Sequence, residues 1–174
     1  PAFSHRAPGV VGAVAGQLHV MAELICDGVH IHPAVVRTTF KMLGEERIIF
    51  ISDSMRATGM PEADTHGGLD VDVKGNRATL VSDGSLAGSA TNLMDCVRTA
   101  VKKMEIPLET AIGCATVIGK SLGVYDKYGS ISVGKKANML LLDQDLNLKA
   151  VIKDGKMLER QRLCNKREKE GIRQ

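Results

Sequence analysis

The chain has 174 residues, a formal net charge of +3, a hydrophobic share of 44% and a charged share of 25%. That length buries a sizeable core, and no apolar run approaches the roughly 20 residues that a membrane-crossing helix needs. The whole excess of Lys and Arg lies in residues 159–174, and with no Trp, two Tyr and three Phe there is no aromatic platform for bases. Neither nucleic acid nor a membrane is an expected partner.

Residues 1–9 have no starting Met, show no secretory leader and read as the middle of a loop. The small apolar stretch Gly9–Gly16 suits close packing or a short weak helix. Residues 21–31 read as strand. Pro33 then opens a helix with Val36, Phe40 and Leu43 on one face, and Gly44 closes it. The run Ile48-Ile49-Phe50-Ile51 suits a strand buried on both faces, so strand, helix and strand read as a parallel βαβ unit. Asp53 follows at the carboxyl end, where such sheets carry their chemistry. From position alone Asp53 either caps a turn or is catalytic.

A hairpin follows, with Leu69, Val71 and Val73 alternating, a turn at Gly75-Asn76, and Ala78 and Leu80 returning. Residues 83–89 read as a loop carried by that hairpin. Leu93, Cys96, Val97, Ala100, Val101 and Met104 make one helical stripe, with Ser89 as its expected N-cap. Gly84 and Gly88 either let backbone approach a ligand or make an ordinary flexible helix entry. Pro107 starts another helix, with Leu108, Ala111, Ile112 and Ala115 expected inward. Beyond Gly123 the pattern turns to β, with strands expected at residues 129–131, 137–143 and 149–153 and a turn at Asp154-Gly155. Residues 161–174 are a charged tail, a frayed helix or a disordered end.

Cys26, Cys96, Cys114 and Cys164 are too widely spaced for a zinc knuckle or a disulfide framework. They read as small buried residues of a cytoplasmic protein. His30 and His32, if they alternate on a strand, point the same way and with Asp53 offer three metal donors at most. His5 and Arg6 suit an anion such as phosphate, or are solvated loop charges.

Four segments together resemble one family. Asp27-Gly28-Val29-His30, Ile51-Ser52-Asp53, Leu86-Ala87-Gly88-Ser89 and the run Gly129-Ser130-Ile131-Ser132-Val133-Gly134-Lys135-Lys136-Ala137-Asn138 occur in this order. With Ser4-His5-Arg6-Ala7-Pro8-Gly9 they resemble the C-terminal part of the N-acetylglucosamine-6-phosphate deacetylase family, within the amidohydrolase superfamily. The resemblance implies an α/β fold, the C-terminal portion of a (β/α)8 TIM barrel over residues 1–124, then part of a small β-sandwich over 125–160. It implies a metal-dependent hydrolase that removes acetate from N-acetylglucosamine 6-phosphate. Asp53 matches the family's catalytic aspartate, which takes a proton from metal-bound water and delivers it to the leaving amine. His30 matches the substrate-binding histidine, and Arg6 the phosphate-binding arginine that reaches in from a neighbouring subunit of a homo-oligomer. Leu86, Ala87 and Gly88 match the backbone lining the sugar pocket, while His32 matches no family role.

The family's metal ligands, a glutamate and two histidines for a divalent cation such as zinc or iron, match no position in this chain. The expectation is therefore an incomplete, inactive fragment of an active parent, prone to oligomerise through its open edges. Two alternatives stay open: another amidohydrolase acting on a cyclic amide or a nucleobase, and a non-catalytic half-barrel scaffold.

Overall fold

Four apolar residues in succession leave the chain at Ile48–Ile51 no polar face to show to water. In the computed structural model, which describes residues 3–56, 58, 59, 65, 66 and 69–158, they form a buried strand. This strand, β2 (Ile48–Ile51), has Ile48, Ile49 and Phe50 at no more than 1% exposure. It pairs in parallel with β1 (Ala22–Ile25), and the register sets Ile25 beside Ile51.

The crossover between them is α2 (Pro33–Leu43). Pro33 sits in the first turn, where its missing N–H costs nothing, and Gly44 ends the helix with a φ of 74°. Val36 is buried, Phe40 and Leu43 pack on the same core, and the Phe40 ring meets Phe50 edge-on at 6.1 Å. β1 is shorter than expected because Asp27 turns the chain: its Oδ1 accepts the N–H groups of Val29 and His30. His30 and His32 therefore lie in a turn and do not share a strand face. His32 is instead the N-cap of α2, its Nδ1 accepting the Ala34 N–H at 3.2 Å.

Helix α1 (Gly9–Gly16) buries no residue of its own. It is held at its C-terminal end by Arg47, whose Nη1 donates to the carbonyls of Val14 and Gln17 while Nε donates to Leu43.

Strands β3 (Thr65–His66), β4 (Leu69–Lys74), β5 (Arg77–Leu80) and β6 (Leu86–Ser89) form an antiparallel sheet in that order. Alternation sets the hairpin as expected: Val71 faces Leu80, Val73 faces Ala78, and Gly75 turns with a φ of 61°. Val71, Val73 and Ala78 are buried with Met55, Leu80, Ala87 and Ala90 packed on them. Part of the expected loop over 83–89 is strand instead, because the 86–89 backbone pairs with β5.

Helix α3 (Leu93–Met104) turns its stripe inward, with Cys96, Val97, Ala100 and Met104 buried. Its N-cap is Asn92, whose side chain accepts the Asp95 N–H, and not Ser89. Ser89 is a buried strand residue whose Oγ accepts the Thr91 N–H at 3.0 Å. In α4 (Leu108–Thr116) the inward face is Ala111, Cys114 and Ala115, while Leu108 and Ile112 are 37% and 41% exposed. Small side chains let that helix sit close to β2, so the bulky pair expected inside points out. Helix α5 (Ile118–Ser121) is short.

The chain divides into two compact units after Ser121. In the second, β7 (Met139–Leu142), β8 (Leu148–Lys153) and β9 (Lys156–Leu158) form an antiparallel sheet in chain order. Residues 129–131 bend and make no strand, which corrects the expectation. Asp143 builds the β7–β8 turn by accepting the N–H groups of Asp145 and Asn147. Cys164 and the 161–174 tail lie outside the described residues. Among the described residues no helix is long and apolar enough to cross a membrane.

Candidate active site

Two residues beyond the end of β2 the chain reaches Asp53, and two beyond β1 it reaches Asp27. Parallel register sets these two exits at the same level of the sheet. Asp53 adopts a φ of 47°, a left-handed backbone, and its side chain is exposed.

The backbone around Asp53 is held from across the chain. Its carbonyl accepts the Ser89 N–H at 3.2 Å, and the Ser89 carbonyl accepts the Met55 N–H at 2.8 Å. Ser54 bridges Ser89 in parallel and donates its hydroxyl to the Thr91 carbonyl at 2.6 Å. The segment Leu86-Ala87-Gly88 therefore ends against Asp53. Gly88 has a φ of 107°, and a Cβ there would lie 3.9 Å from the Asp53 carbonyl and 3.6 Å from the Met55 Cβ. Space would allow a side chain, but the backbone conformation favours glycine.

The second exit is organised by Asp27, which is 4% exposed. Besides the two N–H groups on Oδ1, its Oδ2 lies 2.8 Å from Nδ1 of His30. Asn76, at the tip of the β4–β5 hairpin, donates its amide to the Asp27 carbonyl at 3.2 Å. One carboxylate thereby holds His30 at both its backbone N–H and its ring, and the His30 side chain is 16% exposed. Sequence reasoning assigned no role to Asp27 or Asn76. Asp27 fell within a stretch read as strand and Asn76 counted only as part of a hairpin turn, so nothing local said that the one holds the other.

Asp53 and His30 thus lie in loops beyond strand ends, while Leu86-Ala87-Gly88 belongs to β6, which hydrogen bonds tie to the Asp53 exit. Arg6 is different. It is exposed in a turn closed by Ser4 and Ala7, and no hydrogen bond or ion pair among the described residues joins it to the others. Burial pushes the thiols of Cys26 and Cys96 up to about 12 and that of Cys114 up to about 11, which suits packing and not nucleophilic chemistry. Among the described residues no three His, Cys, Asp or Glu side chains group as a metal ion would require.

A parallel strand pair with its crossover helix, and a carboxylate two residues beyond each strand end, make an α/β architecture. Residues 8–158 match the model of the amidohydrolase family, and the chain belongs to that family. Its relatives are more particular. The N-acetylglucosamine-6-phosphate deacetylase of Vibrio furnissii is 36% identical over 156 residues, covering 88% of this chain and 39% of the relative. A putative N-acetylgalactosamine-6-phosphate deacetylase of Escherichia coli strain K12 is 35% identical over 155 residues, covering 88% of this chain and 92% of the relative. The chain also superposes with a TM-score of 0.84 and 32% identity on an N-acetyl-D-glucosamine-6-phosphate deacetylase from Mycobacterium smegmatis, a mutant in complex with N-acetyl-D-glucosamine-6-phosphate. That likeness covers 90% of this chain and 42% of the other. The chain spans about two fifths of the Vibrio furnissii and Mycobacterium smegmatis proteins.

Proposed function

We propose that this chain supplies Asp53 and its surroundings to a hydrolase that converts N-acetylglucosamine 6-phosphate and water into glucosamine 6-phosphate and acetate. The observation that carries this reading is the Asp53 exit, exposed in side chain and pinned in backbone by Ser89. Asp53 takes a proton from the water that attacks the acetyl carbonyl. The C–N bond then breaks, and the nitrogen leaves as an amine carrying that proton. His30 holds the sugar, the backbone of Leu86, Ala87 and Gly88 lines its pocket, and Arg6 of a neighbouring copy in a homo-oligomer meets the phosphate. The described residues make no site for the divalent cation, zinc or iron, that the resemblance implies. The activity then belongs to a form in which its ligands are present.

In this reading residues 1–124 are the C-terminal part of a (β/α)8 barrel, 125–160 a segment of a β-sandwich and 161–174 a charged tail, in a cytoplasmic enzyme. The parallel β1–β2 pair with its crossover helix supports the barrel. The galacto epimer of the substrate is the second reading, favoured by the Escherichia coli relative that the chain covers to 92%. A cyclic amide or nucleobase substrate would differ in being indifferent to the loss of Arg6.

The test is acetate release from both epimers, by this chain alone and joined to the portion of the Vibrio furnissii relative that it does not span. The joined, folded form is expected to turn over and to lose turnover on Asp53→Asn. A folded joined form that releases no acetate, or one indifferent to Asp53→Asn, rejects the reading and favours a non-catalytic scaffold.

A further inference from the structure

Asp27 has no part in the reaction above, yet its side chain is fully covered. A carboxylate so enclosed has to satisfy its oxygens within the protein. Oδ1 accepts two backbone N–H groups, from Val29 at 2.9 Å and His30 at 3.0 Å. Oδ2 lies 2.8 Å from Nδ1 of the His30 ring. An ionised carboxylate has no proton to give, so Nδ1 must carry the hydrogen in this contact. Nε2 of the ring makes no hydrogen bond to a described residue.

We propose that Asp27 is a positioning residue, which holds His30 as the Nδ1–H tautomer and leaves the Nε2 lone pair as the ring's free acceptor. The inference rests on the reading of His30 as a substrate contact, and it sets the chemistry of that contact. In the neutral ring Nε2 takes a donor from the ligand, such as a sugar hydroxyl or an amide N–H, and offers nothing to an acceptor. The Asn76 amide on the Asp27 carbonyl, 49 residues away in sequence, ties the β4–β5 hairpin to the same turn. The hairpin therefore braces the residue that orients His30.

The turn itself supplies the test. In Asp27→Asn the amide oxygen keeps its place opposite the two backbone N–H groups, because reversing it would set donors against donors. The amide NH2 then faces Nδ1, and it can bond only a bare nitrogen. The proposal therefore requires the tautomer to flip while the turn survives. With imidazole labelled in nitrogen-15, two-bond correlation spectra at a pH where the ring is neutral identify which nitrogen of His30 carries the hydrogen. The expected result is Nδ1–H in the natural chain and Nε2–H in Asp27→Asn. Nε2–H in the natural chain overturns the proposal, and this reading stands even if the variant fails to fold. An unchanged Nδ1–H tautomer in a folded variant overturns it as well. The spectra need no turnover, so absent deacetylase activity would count against the proposed function alone and leave this result legible.

Discussion

Asp53 stands at a φ of 47°, a conformation that Asp and Asn tolerate better than most residues with a Cβ. Asp53→Asn therefore keeps the backbone and the shape while removing the proton acceptor. In the active form, acetate release is expected to fall by about 10²–10⁴-fold, the usual weight of a general acid–base group. The urea midpoint should stay where it was, and a fall accompanied by unfolding would assign Asp53 a structural part only. The buried thiols carry a different expectation. Cys26 and Cys96 are raised from 9.0 to about 12, with burial as the largest cause. Between those values the unfolded chain gives up protons that the folded chain keeps. Their contribution to stability is full below about pH 9 and is lost as pH rises from there toward 12. Urea midpoints should decline from pH 8 to 10, and less steeply in the Cys26→Ala, Cys96→Ala double variant. Equal slopes would show that the thiols do not report burial.

The helices show how one polar residue places an element. Asn92 satisfies the Asp95 N–H at 3.0 Å at the start of α3, where the first turn has no partners of its own. Asn92→Ala is expected to lower stability by about 1 kcal/mol, read from the urea midpoint. Ser89→Ala tests a separate bond, the one from the Thr91 N–H, and should leave the helicity of α3 unchanged. If Ser89→Ala frayed α3 and Asn92→Ala did not, the cap would have been assigned to the wrong residue. In the second unit, consecutive Leu140 and Leu141 of β7 are 54% and 56% exposed. Neighbours in a strand face opposite ways, so that sheet shows apolar residues to water on both faces.

The molecule as a whole carries large apolar side chains in water in both units. Val10 and Leu18 in the first unit, and Ile131 and Val133 in the second, are each 70% exposed or more. Exposed apolar surface of this kind favours association. The 18.7 kDa chain is expected to sediment as species larger than the monomer at micromolar concentration. Substituting Leu18 and Leu140 with Lys should shift it toward the monomer, and a chain that is monomeric from the outset would remove the expectation.

Local pattern was sufficient wherever an element closes on itself. Four apolar residues made β2 a buried strand, Val71 and Val73 with Gly75-Asn76 set a hairpin register, and Pro33 and Gly44 bounded a helix. Each of these depends on neighbours within a few residues, and that is what periodicity and turn chemistry encode. Asp53 was legible for the same reason, as a carboxylate directly after such a strand. What stayed hidden depended on distant partners. The turn that takes His30 and His32 off a strand face is the exception, since Asp27 makes it with N–H groups only two and three residues on, against the strand reading of that stretch. Residues 86–89 looked like a loop until β5 and the Asp53 carbonyl supplied partners for their N–H groups. In α4 the larger residues looked like the core until close packing on β2 selected Ala111 and Cys114. Hydrogen bonds and packing between residues tens of positions apart leave no trace in local composition, so the assembly of the site belongs to the folded chain.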